Sequence, residues 1–208
     1  MKPDWTASAT LLADAEWVRA RIGGAAKLYG CAAPEVLGTI WWYSLSSVLV
    51  APALEGLVAG TLADPSLDAV EIDLLADGRF LGARSTRPLP GGLPELGAAF
   101  GEALGTAIAT IADVTGARAR ALGAIATDSI GNRLLWTSDP ERAMALAEPL
   151  VAAIGLDLPK PRFVRVGRTP AVHRASCCLI YEVGNPKCVS CPRQTPAERN
   201  ARLRAALG

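Results

Sequence analysis

Four of the five cysteines fall within fifteen residues near the C-terminus: Cys177, Cys178, Cys188 and Cys191, spaced C-C-x9-C-x2-C. The chain must double back to bring the two pairs together, and Gly184-Asn185-Pro186 supplies the turn. Four thiolates so gathered form a sulfur-only cage, which suits an iron–sulfur cluster or zinc better than harder ions. Zinc ribbons present two C-x2-4-C knuckles across a long insert, whereas one half-site here is a directly adjacent pair. Successive side chains on a strand alternate faces, so the backbone must bend at Cys177-Cys178. Two irons, each needing two thiolates, accept such a pair more easily than one ion does. The ranking from chemistry is therefore iron–sulfur, then zinc, then disulfides.

Disulfides belong to oxidising compartments. Met1-Lys2-Pro3-Asp4-Trp5-Thr6 has an early acid and no basic-then-apolar run, so no secretory signal is expected and a cytoplasmic location is. Cys31, alone in Gly30-Cys31-Ala32-Ala33, reads as core packing.

Half of the 208 residues are hydrophobic, enough to bury a core without help from a metal. Alanine, leucine and glycine dominate and aromatics are scarce, which predicts closely packed helices. The expected class is α+β: a predominantly helical body with a small antiparallel β-hairpin or sheet, followed by a Cys-rich iron–sulfur segment. Leu158-Pro159-Lys160-Pro161 is a stiff connector, so the body is placed at residues 1–158 and the metal segment at 159–208.

A net charge of +1 hides a division. Residues 160–208 carry ten Lys/Arg against Glu182 and Glu198, and the preceding residues hold the other 11 basic and 18 acidic side chains. A basic rim around a redox centre attracts an anionic substrate or an acidic donor; alternatively it pairs with the acidic body. Arg165, Arg168 and Arg174 are the candidates for docking. His173, the only histidine, could donate to a cluster sulfur or sit in a loop. Nucleic acid is disfavoured, because no aromatics interleave with the basic residues to stack bases. Neither Gly23-Gly24 nor Gly91-Gly92 has the spacing of a dinucleotide or nucleotide phosphate loop.

Residues 6–29 carry helical apolar spacing with a break expected at Gly23-Gly24, and Pro34-Glu35 opens another helix. Val36 to Leu54 contains no charge, and its length suffices for a bilayer. Its serines, Pro52 and internally placed Trp41, Trp42 and Tyr43 point to a buried core helix that Pro52 kinks or ends, with a peripheral contact on the cytoplasmic membrane face as the alternative. Trp41 or Trp42 could wall the cluster. Residues 68–84 read as a hairpin and 88–94 as a loop. Long helices are expected over 95–114 and 117–136, and a third from Asp139-Pro140 to Ile154. In the metal segment, residues 163–166 and 178–183 read as short strands, and Pro196 opens a final helix.

Arg174-Ala175-Ser176-Cys177-Cys178-Leu179-Ile180-Tyr181, followed by Cys188-Val189-Ser190-Cys191-Pro192, resembles the C-terminal signature of the FhuF-like siderophore-iron reductases. The close match covers residues 159–208; the body is more loosely similar to the C-terminal domain of siderophore synthetases. The resemblance implies a [2Fe–2S] cluster on Cys177, Cys178, Cys188 and Cys191. It implies one-electron reduction of a ferric, hydroxamate-type siderophore in the cytoplasm, with recharging by a ferredoxin, flavodoxin or flavin reductase. Two departures stand out: the middle spacer is one residue shorter than is common in the family, and Val189-Ser190 replaces a frequent Gly-Asp. Both bear on hydrogen bonds to sulfur, and so on potential, more than on ligation. The competing expectations are an iron–sulfur electron-transfer or sensing protein that docks a protein partner, and a zinc-stabilised interaction module.

Overall fold

The computed structural model describes residues 2–30 and 33–208; Cys31 lies outside them. The chain is α+β, built on seven helices among the described residues: α1 (Ala15–Tyr29), α2 (Pro34–Leu49), α3 (Ala51–Ala59), α4 (Leu93–Thr115), α5 (Ala119–Leu135), α6 (Pro140–Ile154) and α7 (Pro196–Leu207). Strands β1 (Trp5–Ser8), β2 (Val70–Leu74) and β3 (Phe80–Ser85) form an antiparallel sheet in that order, and β4 (Phe163–Val166) pairs antiparallel with β5 (Thr169–Val172).

The helices begin where local chemistry predicts. Asp14 accepts from the N–H groups of Glu16 and Trp17 at the start of α1, and Asp139 accepts from Arg142 at the start of α6. Proline stands in the first turn of α2, α3, α4, α6 and α7, where no donor is needed. Thr195 and Glu198 cap α7 reciprocally.

The uncharged stretch is a core element, as its serines and proline suggest. Pro34–Ala59 is long and apolar enough to cross a membrane, yet 78% of its most apolar window is buried inside the protein. Pro52 has no N–H for the Val48 carbonyl, and α2 gives way to α3 at Val50. Helix α2 is fastened to α5 by two buried bonds: Trp42 Nε1 donates to the Leu122 carbonyl at 2.8 Å, and the Ser46 and Ser129 hydroxyls meet at 2.7 Å. This pair is the platform for the C-terminal segment.

Three expectations need correction. Residues 6–29 are not one helix: Trp5–Ser8 is a strand, a 3-10 turn follows over Ala9–Ala13, and α1 starts only at Ala15. Pairing with β2 overrides the local pattern, because a strand so short is stabilised by its neighbour rather than by its own residues. Gly23-Gly24 does not interrupt α1, since buried Val18, Ile22 and Ala25 hold it against the core; the helix stops at Gly30, whose φ is +78°. Residues 178–183 are not a strand. Leu179 takes a left-handed conformation at φ +62°, and Ile180–Val183 is a 3-10 turn.

Candidate metal centre

Strand β5 runs along α5, where a Cβ on Gly131 would stand 3.1 Å from Val172 Cγ2. This close approach delivers the chain after β5 to the α2–α5 platform. There Arg174 is 3% exposed, and its partners come from both helices. Its guanidinium pairs with buried Asp128 of α5 at 3.4 Å and lies 4.8 Å from the ring centroid of Tyr43 on α2. Asp128 also accepts from the N–H groups of Ala175 at 2.8 Å and Ser176 at 3.2 Å. One carboxylate thus anchors the peptide immediately before the first two cysteines.

The four thiols are free, with Cys177, Cys178 and Cys191 buried and Cys188 half-buried. Cys177 and Cys191 sulfurs stand 3.6 Å apart. A tetrahedral ion with metal–sulfur bonds of about 2.3 Å has sulfur edges of about 3.8 Å. Among the described residues no group of three or more His, Cys, Asp or Glu side chains gathers closely enough for a single ion. The left-handed turn at Leu179 aims its N–H at Cys177 Sγ, 3.4 Å away. A left-handed leucine costs roughly 1–2 kcal/mol, tolerable where the turn serves the site. The second pair sits in a tight loop: Cys191 N–H donates to the Cys188 carbonyl, and buried Gln194 Nε2 donates to the same carbonyl at 2.8 Å. Helix α7 braces this loop through Arg202, which donates to the Lys187 carbonyl.

Charge follows geometry. The adjacent thiols shift in opposite directions: the hydrogen bond to Cys178, with burial, pushes the Cys177 thiol up. The same bond, assisted by Ile180 N–H and Arg174, lowers Cys178 to about 5 against its burial. Burial pushes the Cys188 thiol up. Arg174 Nη1 donates to Cys188 Sγ at 3.3 Å. Burial alone would lower the Arg174 guanidinium, but the acidic groups around it, Tyr43, Asp128, Cys178 and Cys188, raise it and keep it charged. Its Nη2 is buried and has no partner among the described residues. A leftover donor inside a thiol-lined cradle suits a group that brings acceptors of its own, as a cluster with bridging sulfides does.

The other sequence candidates are elsewhere. Arg165 pairs with Glu141 of α6, and Arg168 is exposed in the turn between β4 and β5. His173 Nε2 meets Arg199 at 3.0 Å, and burial followed by Arg199 and Arg162 lowers its pKa. Neither tryptophan walls the cysteines: Trp41 packs edge-on against Trp17 and Phe80, while Trp42 binds α5. Tyr43 is the aromatic that stacks on Arg174. Asp128 was missed by sequence reasoning, although a lone acid inside the apolar run Ile125-Ala126-Thr127-Asp128-Ser129-Ile130 is the kind of signal that marks a buried partner.

No curated protein and no solved structure matches the chain. Residues 174–193, from the buried arginine to two residues past the last cysteine, match the FhuF 2Fe-2S C-terminal domain, which supports a [2Fe–2S] cluster in this segment; the match lies wholly within the C-terminal segment.

Proposed function

We propose that this protein is a cytoplasmic ferric-siderophore reductase. The observation that carries the reading is the cradle itself: four free thiols tied to a helical platform by a buried arginine, within a segment matching a [2Fe–2S] domain. When bound, such a cluster supplies single electrons, and one electron converts chelated Fe(III) to Fe(II), which hard oxygen ligands hold far more weakly.

The chain's own residues position and tune. Cys177, Cys178, Cys188 and Cys191 are the ligands. Asp128 fixes the loop ahead of them, and Arg174 sets a positive charge against Cys188. No side chain is needed to move a proton to the substrate. Among the described motifs there is no phosphate loop for a nicotinamide cofactor, so a ferredoxin, flavodoxin or flavin reductase is the proposed donor. The core position of Pro34–Ala59 leaves any membrane contact to the protein's surface.

The test uses anaerobically purified protein with iron and sulfide counted and the spin-resonance spectrum recorded. After reduction by dithionite and removal of excess reductant, a ferric trihydroxamate chelate should reoxidise it and release one Fe(II) per cluster. Protein that holds the cluster but is inert to every ferric chelate would be an electron carrier or sensor instead.

A further inference from the structure

Two cavities adjoin on the face where the C-terminal segment meets the start of α5. The first, of about 660 Å³, is lined by Cys177 together with Glu35, Thr39, Leu179 and Arg193 among others. The second, of about 500 Å³, carries Arg120, Arg162 and Asp157. They share Arg118, Ala121, Ala175 and Ser176 as walls. Of the four cysteines only Cys177 lines either cavity.

The second cavity is cationic: Arg118, Arg120 and Arg162 face one acid, Asp157. All three arginines are exposed, and among the described residues none is in an ion pair. Other cations of the same segment are used up internally, since Lys160 binds Glu148 and Arg165 binds Glu141. Three like charges held together without partners repel one another, and an anion relieves them. The first cavity is balanced, with Arg118 and Arg193 against Glu35 and Glu182, and it is the lobe that touches a cluster ligand. Both volumes lie in the range of small-molecule sites.

Building on the reductase reading, we infer that these cavities together are the chelate site. The lobe beside Cys177 takes the oxygen-wrapped iron, the arginine lobe takes carboxylate groups on the chelator's periphery, and the preferred substrate class is therefore the anionic, carboxylate-bearing ferric chelate rather than one ending in a free ammonium. The chelated Fe(III) takes one electron and becomes Fe(II); no bond or proton crosses to the protein. The donor of that electron is the reduced cluster, which is itself recharged by the iron–sulfur or flavin donor proposed above.

The test measures binding and electron transfer separately. Binding uses redox-inert gallium(III) complexes of two trihydroxamates, one bearing free carboxylates and one a free ammonium, titrated into cluster-loaded protein. The wild type should bind the anionic complex at least about tenfold more tightly at low salt, with the preference shrinking as salt is added. Arg118→Glu with Arg162→Glu should abolish that preference. Arg142→Glu, an exposed change on α6 outside both cavities, should keep it. Equal binding of both complexes by the wild type, no binding at all, or equal loss in the α6 variant would overturn the site. Electron transfer uses the matching ferric complexes and reduced protein. Reduction at the same rate by wild type and the double variant would also overturn the site while leaving the reductase reading intact. Gallium binding as expected, with no reduction of the ferric form, would uphold the site and sink the reductase reading.

Discussion

Arg174 is the residue on which the metal segment turns. It is buried, permanently charged, and tied at once to a helix carboxylate, a tyrosine face and a cysteine sulfur. A buried arginine needs its counter-charge: removing one partner of such a pair costs about 3–5 kcal/mol, because the other charge is stranded. Replacement of Asp128 by asparagine should therefore loosen the segment more than a mere lost hydrogen bond would. Arginine itself can be separated from structure by its effect on potential. A positive charge beside the thiolates favours the reduced, more negative cluster. Arg174→Gln should make reduction harder by about tenfold or more, a fall of about 59 mV in a one-electron couple. Arg174→Lys should restore part of the shift. A spin-resonance titration gives the midpoint potential, and an unchanged value in the glutamine variant would reduce Arg174 to an anchor.

Among the elements, α4 and α6 pack closely, and Gly97 permits it. A Cβ at that position would stand 2.4 Å from Ala153 Cβ and 2.5 Å from its carbonyl carbon, so the helices would have to part. Gly97→Ala should cost about 1–3 kcal/mol and lower Tm by roughly 2–10 °C in a thermal melt; an unaltered Tm would mean the pair has slack. The loop between α3 and β2 is held differently. Burial alone would raise the Asp64 carboxyl, but Ser66 and Arg87 together hold it below its ordinary range, with Arg87 Nε 2.7 Å away. The native state then binds fewer protons than the unfolded one, so this contribution is present above about pH 4 and is lost as pH falls through the lowered native value. Between about pH 5 and pH 3 the wild type should lose more stability than Asp64→Asn, measured by denaturant titration at each pH. Helices with a proline start or a long apolar run, such as α4, α5 and α6, were legible in the sequence, as was the β2–β3 hairpin. Strands β1 and β5 were not, although β4, equally short, was: Pro170 argues against a strand over 169–172, and β1 owes its existence to pairing with β2 rather than to its own pattern. The clustering of the four cysteines is plain in the sequence. Their support is not: Tyr43 and Asp128 lie on helices about 131 and 46 positions before Arg174, and only folding makes them neighbours.

For the whole molecule, the split of charge along the chain works partly as internal adhesive. Cations of the C-terminal segment meet body acids at Lys160–Glu148, Arg165–Glu141 and Arg174–Asp128, while the arginines at the paired cavities stay free for a ligand. The first two pairs are exposed and hold little; the third is buried and fixes position. The apolar core, by contrast, belongs almost wholly to the body: it runs from Ala7 through Ile154, with Phe163 of β4 packing against it from outside. The C-terminal segment has only a small cluster of its own, Val166, Ala171 and Leu203. The two parts should therefore part company when the metal is lost. Cys191→Ser should abolish the cluster's visible absorption while keeping most of the helical circular dichroism, and limited proteolysis should then cut between residues 173 and 195, a region protected in the loaded protein. The body's core does not include the thiols, so its melting should persist as a cooperative transition. Global loss of helix in the serine variant would mean that the cluster nucleates the α2–α5 platform through Arg174, rather than resting on a platform already formed.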